Sequence, residues 1–187
     1  MPKIINGIED KIYDAAYELF SKKGYESVNM RMVAEETGIA VGTLYNYHKN
    51  KKSLYISVLE NSWQETLTKL DKIMDGEDES EKLKKLVDVL YTEISARKGI
   101  AQELIKASEL KEIKETVINK LKMELSKRIE EALDYHQNYK NIDLNQDTKK
   151  RLVKLIFVEV IALNDEFQKE KQKNIQFIMN SVNTLME

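Results

Sequence analysis

A chain of 187 residues is long enough to bury a full core in one or two domains, and its lack of cysteine excludes disulfides and thiolate metal sites. A formal net charge of −2 would argue against a nucleic-acid partner if charge were spread evenly, but Thr37 to Tyr55 contains no acidic residue while Lys49, Lys51 and Lys52 fall together. No apolar run reaches membrane-spanning length, and the start, Met1 to Gly7, is too short and polar for a signal peptide; a cytoplasmic protein with no membrane partner is expected.

Pro2 is the only proline, so helices are permitted throughout the interior of the chain. Ile8, Ile12, Ala15, Ala16, Leu19 and Phe20 recur at the spacing of one apolar helix face, which Lys22-Lys23-Gly24 ends. Residues 30–49 predict two short helices joined by a tight turn. Ala34 is small enough for the second helix to approach closely, Gly38 takes the positive φ of the turn, and Leu44 anchors the second helix to the core. Together these segments predict a three-helix head containing a helix-turn-helix.

The fourth predicted helix starts at the N-cap candidate Asn50, although Ser53 stands where a capping box calls for Glu or Gln, and continues along Leu59, Trp63, Leu67, Leu70 and Met74. The acidic stretch Asp75 to Glu81 reads as a solvated loop. Leu83, Leu86, Val87, Leu90 and Ile94 mark a fifth helix, which Gly99 caps, and a short sixth holds Leu104 and Ile105. Ile113, Val117, Leu121, Leu125, Ile129 and Leu133 mark a seventh, broken by polar residues from Tyr135 to Asn141. Leu152, Leu155, Ile156, Val160 and Leu163 lie on an eighth, and Ile175, Ile178, Val182 and Leu185 on a ninth. Between Leu152 and Leu163 the eighth is apolar nearly all round. A short buried strand would give the same run, but burial on two sides, against its own domain and against a second subunit, is the better explanation in a helical neighbourhood.

The chemistry sits on the second helix of the helix-turn-helix. Val41 suits a thymine methyl, and Thr43 reaches a base or a phosphate. Asn46 has the groups for a bidentate contact to adenine or for a phosphate. Gly42 opens the helix's outer face, Tyr45 and Tyr47 offer hydroxyls to phosphates, and Arg31 in the preceding helix is a further candidate. Catalysis finds no comparable constellation: the only histidines, His48 and His136, are far apart in sequence, and there is no Gly-rich phosphate loop. His136 reads as a surface histidine, and neither a metal nor a cofactor is expected.

The run Ala15-Ala16-x-x-Leu19-Phe20-x-x-x-Gly24-Tyr25, then Val33-Ala34-x-x-x-Gly38-Ile39-Ala40-Val41-Gly42-Thr43-Leu44-Tyr45-Asn46-Tyr47, then Lys49-Asn50-Lys51-x-x-Leu54, resembles the amino-terminal domain of TetR-type transcriptional regulators. The resemblance covers roughly residues 8–55, in order and at the family's spacing. It implies an all-α fold of about nine helices, with a DNA-binding domain over 1–52 and a helical effector-binding and dimerisation domain over 53–187. Tyr45, Tyr47 and Lys51 match positions that usually hold the DNA backbone. An effector pocket is implied between the fourth and eighth helices, with Trp63, Tyr91, Met123 and Phe157 as candidate walls, although each also reads as ordinary core. Dimerisation is implied through the last two long helices, placing Leu152, Ile156, Ile178 and Val182 at the interface. Glu159 faces solvent or the dimer edge, or is buried and needs a partner such as a cationic ligand.

Three residues depart from the family pattern: His48 replaces a usual Phe, Ala40 a common capping Ser, and Met32 a frequent acid. The resulting expectation is a ligand-responsive repressor that binds a palindromic double-stranded DNA operator as a homodimer. The alternatives are a helical protein-interaction module that has lost operator binding, and a helical-bundle enzyme.

Overall fold

The computed structural model describes residues 7–97 and 119–186. Among them lie eight α-helices and no strand: α1 (Ile8–Ser27), α2 (Met30–Thr37), α3 (Val41–Tyr47), α4 (Lys51–Met74), α5 (Lys82–Ala96), α6 (Asn119–Lys140), α7 (Gln146–Glu166) and α8 (Lys171–Met186), with a 3-10 turn at Glu79–Glu81. The short helix expected at Leu104 and Ile105, the cap at Gly99 and the early positions Ile113 and Val117 fall outside the described residues.

The chain divides into two compact units, the first containing residues 7–63 and Arg97, the second residues 64–96 and 119–186. In the first, α1 buries Ile12, Ala16 and Phe20 completely, and Val33, Ala34, Leu44, Leu54 and Tyr55 fill the rest of a small core. Aromatic rings supply much of its volume: Tyr55 stands edge-on to Phe20 at 5.1 Å and to Tyr25 at 4.8 Å between centroids. As expected, the first run of α1 ends at Gly24, which adopts a non-helical φ of 74° and ψ of 167°, and one further turn carries the chain to Ser27.

In the second unit α5 contributes Leu83, Leu86, Val87 and Leu90 to the core, α6 Leu125, Ile129 and Leu133, α7 Leu152, Ile156 and Val160, and α8 Ile175, Ile178 and Val182. The part of α4 within this unit is fastened from two sides. Arg128 on α6 makes a two-pronged pair with Asp71, Nε to Oδ1 at 2.7 Å and Nη2 to Oδ2 at 3.1 Å, and Glu93 on α5 accepts from Thr66 at 3.0 Å and Lys69 at 2.6 Å. Polar residues do not break α6 at Tyr135; it continues to Lys140 and stops where Asn141 takes φ 55°. His136 in that last stretch is buried, not on the surface as expected, with Nε2 2.8 Å from Asn183 Oδ1 on α8.

The segment between Leu152 and Leu163 is helical, and the assignment of its interface residues needs correction. Leu152, Ile156, Ile178 and Val182 are each at most 2 % exposed within a single chain, so no surface remains on them for a second subunit. They occupy the inner rows of α7 and α8, where the two helices meet the rest of their own unit. Large apolar side chains exposed on these helices and the turn between them are Val158, Phe177, Leu185 and Phe167. An aspartate at Ile156 or Ile178 therefore places an unpaired charge in the core and is expected to cost about 4 kcal/mol or more. Thermal melts followed by circular dichroism should show unfolded or strongly destabilised variants, not well-folded monomers.

Candidate nucleic-acid interface

The helix-turn-helix is built by local rules. Asn29 caps α2 by accepting the Met32 amide at 3.0 Å. At the other end Gly38, at φ 70°, donates to the Glu35 carbonyl at 3.1 Å, and the Ile39 amide donates to Ala34 at 3.0 Å, closing α2 with a left-handed turn. Ala40 offers α3 no side-chain cap, and only its carbonyl engages the first turn, accepting from Thr43 at 2.9 Å and Leu44 at 3.2 Å. Fully buried Leu44 then pins α3 to the core.

With one face so pinned, the opposite face is free. Gly42, Tyr45 and Asn46 are exposed along α3, Val41, Thr43 and Tyr47 are half-buried beside them, and Arg31 is exposed on α2. Tyr45 keeps 48 % of its surface. These seven candidates share the helix-turn-helix, and no carboxylate occurs between Thr37 and Tyr55 to repel a phosphate.

Lys51 is different. Its ammonium donates to the Tyr25 carbonyl at 2.9 Å and to the Glu26 carbonyl at 3.4 Å, and stands 4.2 Å from the centre of the Tyr25 ring. The last carbonyls of a helix lack intrahelical donors, and a lysine brought to them by the fold supplies one. In this arrangement Lys51 closes the end of α1. Lys49, two residues earlier, is exposed.

The start of α4 also departs from expectation. Ser53 completes the reciprocal cap without Glu or Gln: its amide donates to Asn50 Oδ1 at 2.8 Å, and its hydroxyl oxygen accepts the Asn50 amide at 3.3 Å. His48 ends α3 half-buried, with its amide on the Leu44 carbonyl at 2.9 Å. Burial pushes the imidazole below its ordinary pKa, with Glu9 opposing.

The four effector candidates fall in different surroundings. Trp63, in the first unit, is buried beside Arg97, whose guanidinium carbon lies 5.2 Å from the indole and whose Nη2 donates to the Ser62 carbonyl at 2.7 Å. The Trp63 indole N–H meets no acceptor among the described residues. Tyr91, in the second unit, is engaged structurally: its hydroxyl accepts from Asn174 at 2.7 Å, and its carbonyl accepts from Asn164 at 3.1 Å. Phe157 is half-buried on α7. Met123 is 63 % exposed, because Leu121 and Leu125 take the inner row of α6, and this position suits no interior wall. Among the described residues no group of three or more His, Cys, Asp or Glu is placed to hold a metal ion, and no helix is long and apolar enough to cross a membrane.

Residues 12–58 match the family described as bacterial regulatory proteins, tetR family. The transcriptional repressor KstR of Mycolicibacterium smegmatis is 44 % identical over 62 residues, which are 33 % of this chain and 30 % of that protein. The chain thus spans less than a third of the length of this curated relative. Over nearly the whole chain, the fatty acid degradation regulator FadR of Bacillus halodurans superposes with a TM-score of 0.73 at 22 % identity, covering 99 % of this chain and 97 % of that one. FadR of Bacillus subtilis, in complex with stearoyl-CoA, gives 0.73 at 20 % identity, covering 96 % and 98 %. At such identities the likeness is one of fold.

The geometry separates the two lysines experimentally. Lys51→Ala should lower the melting temperature through a loss of about 1–2 kcal/mol while leaving the salt dependence of DNA binding unchanged. Lys49→Ala should leave the melting temperature alone and reduce the magnitude of the salt slope by about one. Binding isotherms at several salt concentrations, paired with thermal melts, check both.

Proposed function

We propose, from the match of residues 12–58 to the tetR family of bacterial regulatory proteins, that the chain is a TetR-type transcriptional regulator that binds a palindromic operator as a homodimer and lets go when a small molecule binds. The observation that carries the reading is the outward arc of α3. It presents Gly42, Tyr45 and Asn46, with Thr43 at its edge, on a helix whose other side is locked by Leu44. Such a helix enters a major groove, with Thr43 and Asn46 toward base edges and Tyr45, Tyr47, Arg31 and Lys49 toward phosphates.

The head is assigned to residues 1–52 and the effector and dimerisation functions to 53–187, and the protein acts in the cytoplasm. Two heads must reach successive major grooves, about 34–36 Å apart, so binding requires a dimer. The outer rows of α7 and α8 supply its face. Val158, Phe177 and Leu185 are each more than half exposed in the single chain, a combination a soluble surface rarely leaves uncovered. A second copy of the same face is the occupant, as an isologous contact requires. Repression is favoured over activation because the similar KstR is a repressor. The first effector to test is a long-chain acyl-CoA, since stearoyl-CoA is the ligand in the B. subtilis FadR complex and the fold is shared.

A gel shift with the DNA upstream of the chain's own gene tests operator binding, and its absence defeats the reading. Val158→Asp combined with Phe177→Asp should give a folded monomer by sedimentation and weaken operator binding at least about tenfold. Thr43→Ala and Asn46→Ala should change which operator is preferred. Stearoyl-CoA, if it is the effector, weakens operator affinity, and operator DNA weakens stearoyl-CoA binding by the same factor.

A further inference from the structure

Glu159 lies in the middle of the surface assigned above to the dimer. On α7 it is flanked by Val158, 55 % exposed, and by Ala162 one turn further on. Across from it on α8 is Ser181, one turn from Phe177 on one side and from Leu185 on the other, which are 56 % and 58 % exposed. Its Oε2 atom is already out of contact with solvent in the single chain and has no hydrogen-bond partner. An ionised carboxylate tolerates this only while the rest of the group keeps water, and a second copy laid over the face removes that water.

We propose that homodimer assembly takes up a proton at Glu159 of each subunit, so that the dimer tightens as pH falls and loosens as pH rises. The inference rests on the dimer face named under the proposed function. Its chemistry is fixed by what surrounds the carboxyl. On α5 Asp88 is tied to Lys171 of α8, on α6 Asp134 is tied to Lys149 and His136 to Asn183, and on α8 Lys173 is tied to Glu170. Lys154, on α7 itself, is exposed. None of these acts on Glu159; its surroundings are the apolar wall, which raises its pKa above the ordinary carboxylate value, and the Ser181 hydroxyl, which opposes that. The isologous face of a second copy brings the same apolar residues, Val158, Phe177 and Leu185.

The sign follows from proton counting. If the carboxyl is harder to ionise in the dimer than in the free protomer, the dimer holds more protons. Its stability is then complete below the protomer's pKa and is lost as pH rises through the dimer's pKa. Each coupled proton is worth up to about tenfold in the dissociation constant per pH unit, and a dimer has two such sites.

The test is sedimentation equilibrium of the full chain between about pH 5.5 and about pH 8, for the wild type, Glu159→Gln, Glu159→Leu and Phe177→Asp. The wild-type dissociation constant should rise by about tenfold or more across that range. Both neutral variants should stay tightly dimeric with little pH dependence, and either serves if the other fails to fold. A pH-independent wild-type constant, or a neutral variant that keeps the wild-type slope, overturns the proposal. A Phe177→Asp variant that remains dimeric shows instead that the face itself is misassigned; if it dissociates while Glu159→Gln retains the slope, the face stands and the proton coupling falls.

Discussion

The carbonyls that α1 leaves unsatisfied at its C-terminal end are answered by Lys51 at the beginning of α4, and the placement of α3 depends on that closure. Lys51 donates to Tyr25 and Glu26 and lies over the Tyr25 ring, which stacks on Phe20, while Tyr55 stands edge-on to both. The chain between these two helix ends, residues 28–50, contains α2 and α3 and has little core of its own beyond Val28, Met30, Val33, Ala34 and Leu44. A seven-residue helix does not hold its shape in isolation. It keeps its shape because both ends of its segment are anchored to α1 and α4.

Buried polar contacts set the register of the second unit, where apolar packing alone would tolerate sliding. Asn174 donates to the Tyr91 hydroxyl and to the Phe167 carbonyl, and Asn164 donates to the Tyr91 carbonyl, locking the turn between α7 and α8 against α5. Lys82 does similar work at the end of α4, donating to the Met74 carbonyl at 2.6 Å with its ammonium 3.6 Å from the centre of the Tyr135 ring. Removing one partner from such a pair leaves a buried donor or acceptor without compensation, so the pairs specify one arrangement as well as stabilising it.

That register decides which residues are available for function. With Leu152, Ile156, Ile178 and Val182 turned inward, Val158, Phe177 and Leu185 are turned outward, and Glu159 is carried to the boundary between the two environments. A rotation of α7 by about half a turn, or of α8 by about a quarter turn, would exchange these sets. The outward row of apolar side chains and the environment of one carboxylate thus follow from the same packing choice.

The sequence by itself determined the elements whose causes are local. Helix periodicity, the left-handed turn at Gly38, the Asn50 cap and the acid-free stretch around α3 all act within a few residues, and the reading of residues 8–55 needed nothing more. Tertiary structure decided whatever depends on partners distant along the chain. Lys51 meets Tyr25 across 26 positions, a helix clasp that no local pattern announces. His136 meets Asn183 across 47, which turned a surface histidine into a buried one. On α7 the apolar residues run nearly all the way round, so periodicity could not distinguish the row facing its own core from the row facing outward. Only the packing of α5, α6 and α8 around that helix separates the two, because burial is a property of neighbours and not of the residue itself.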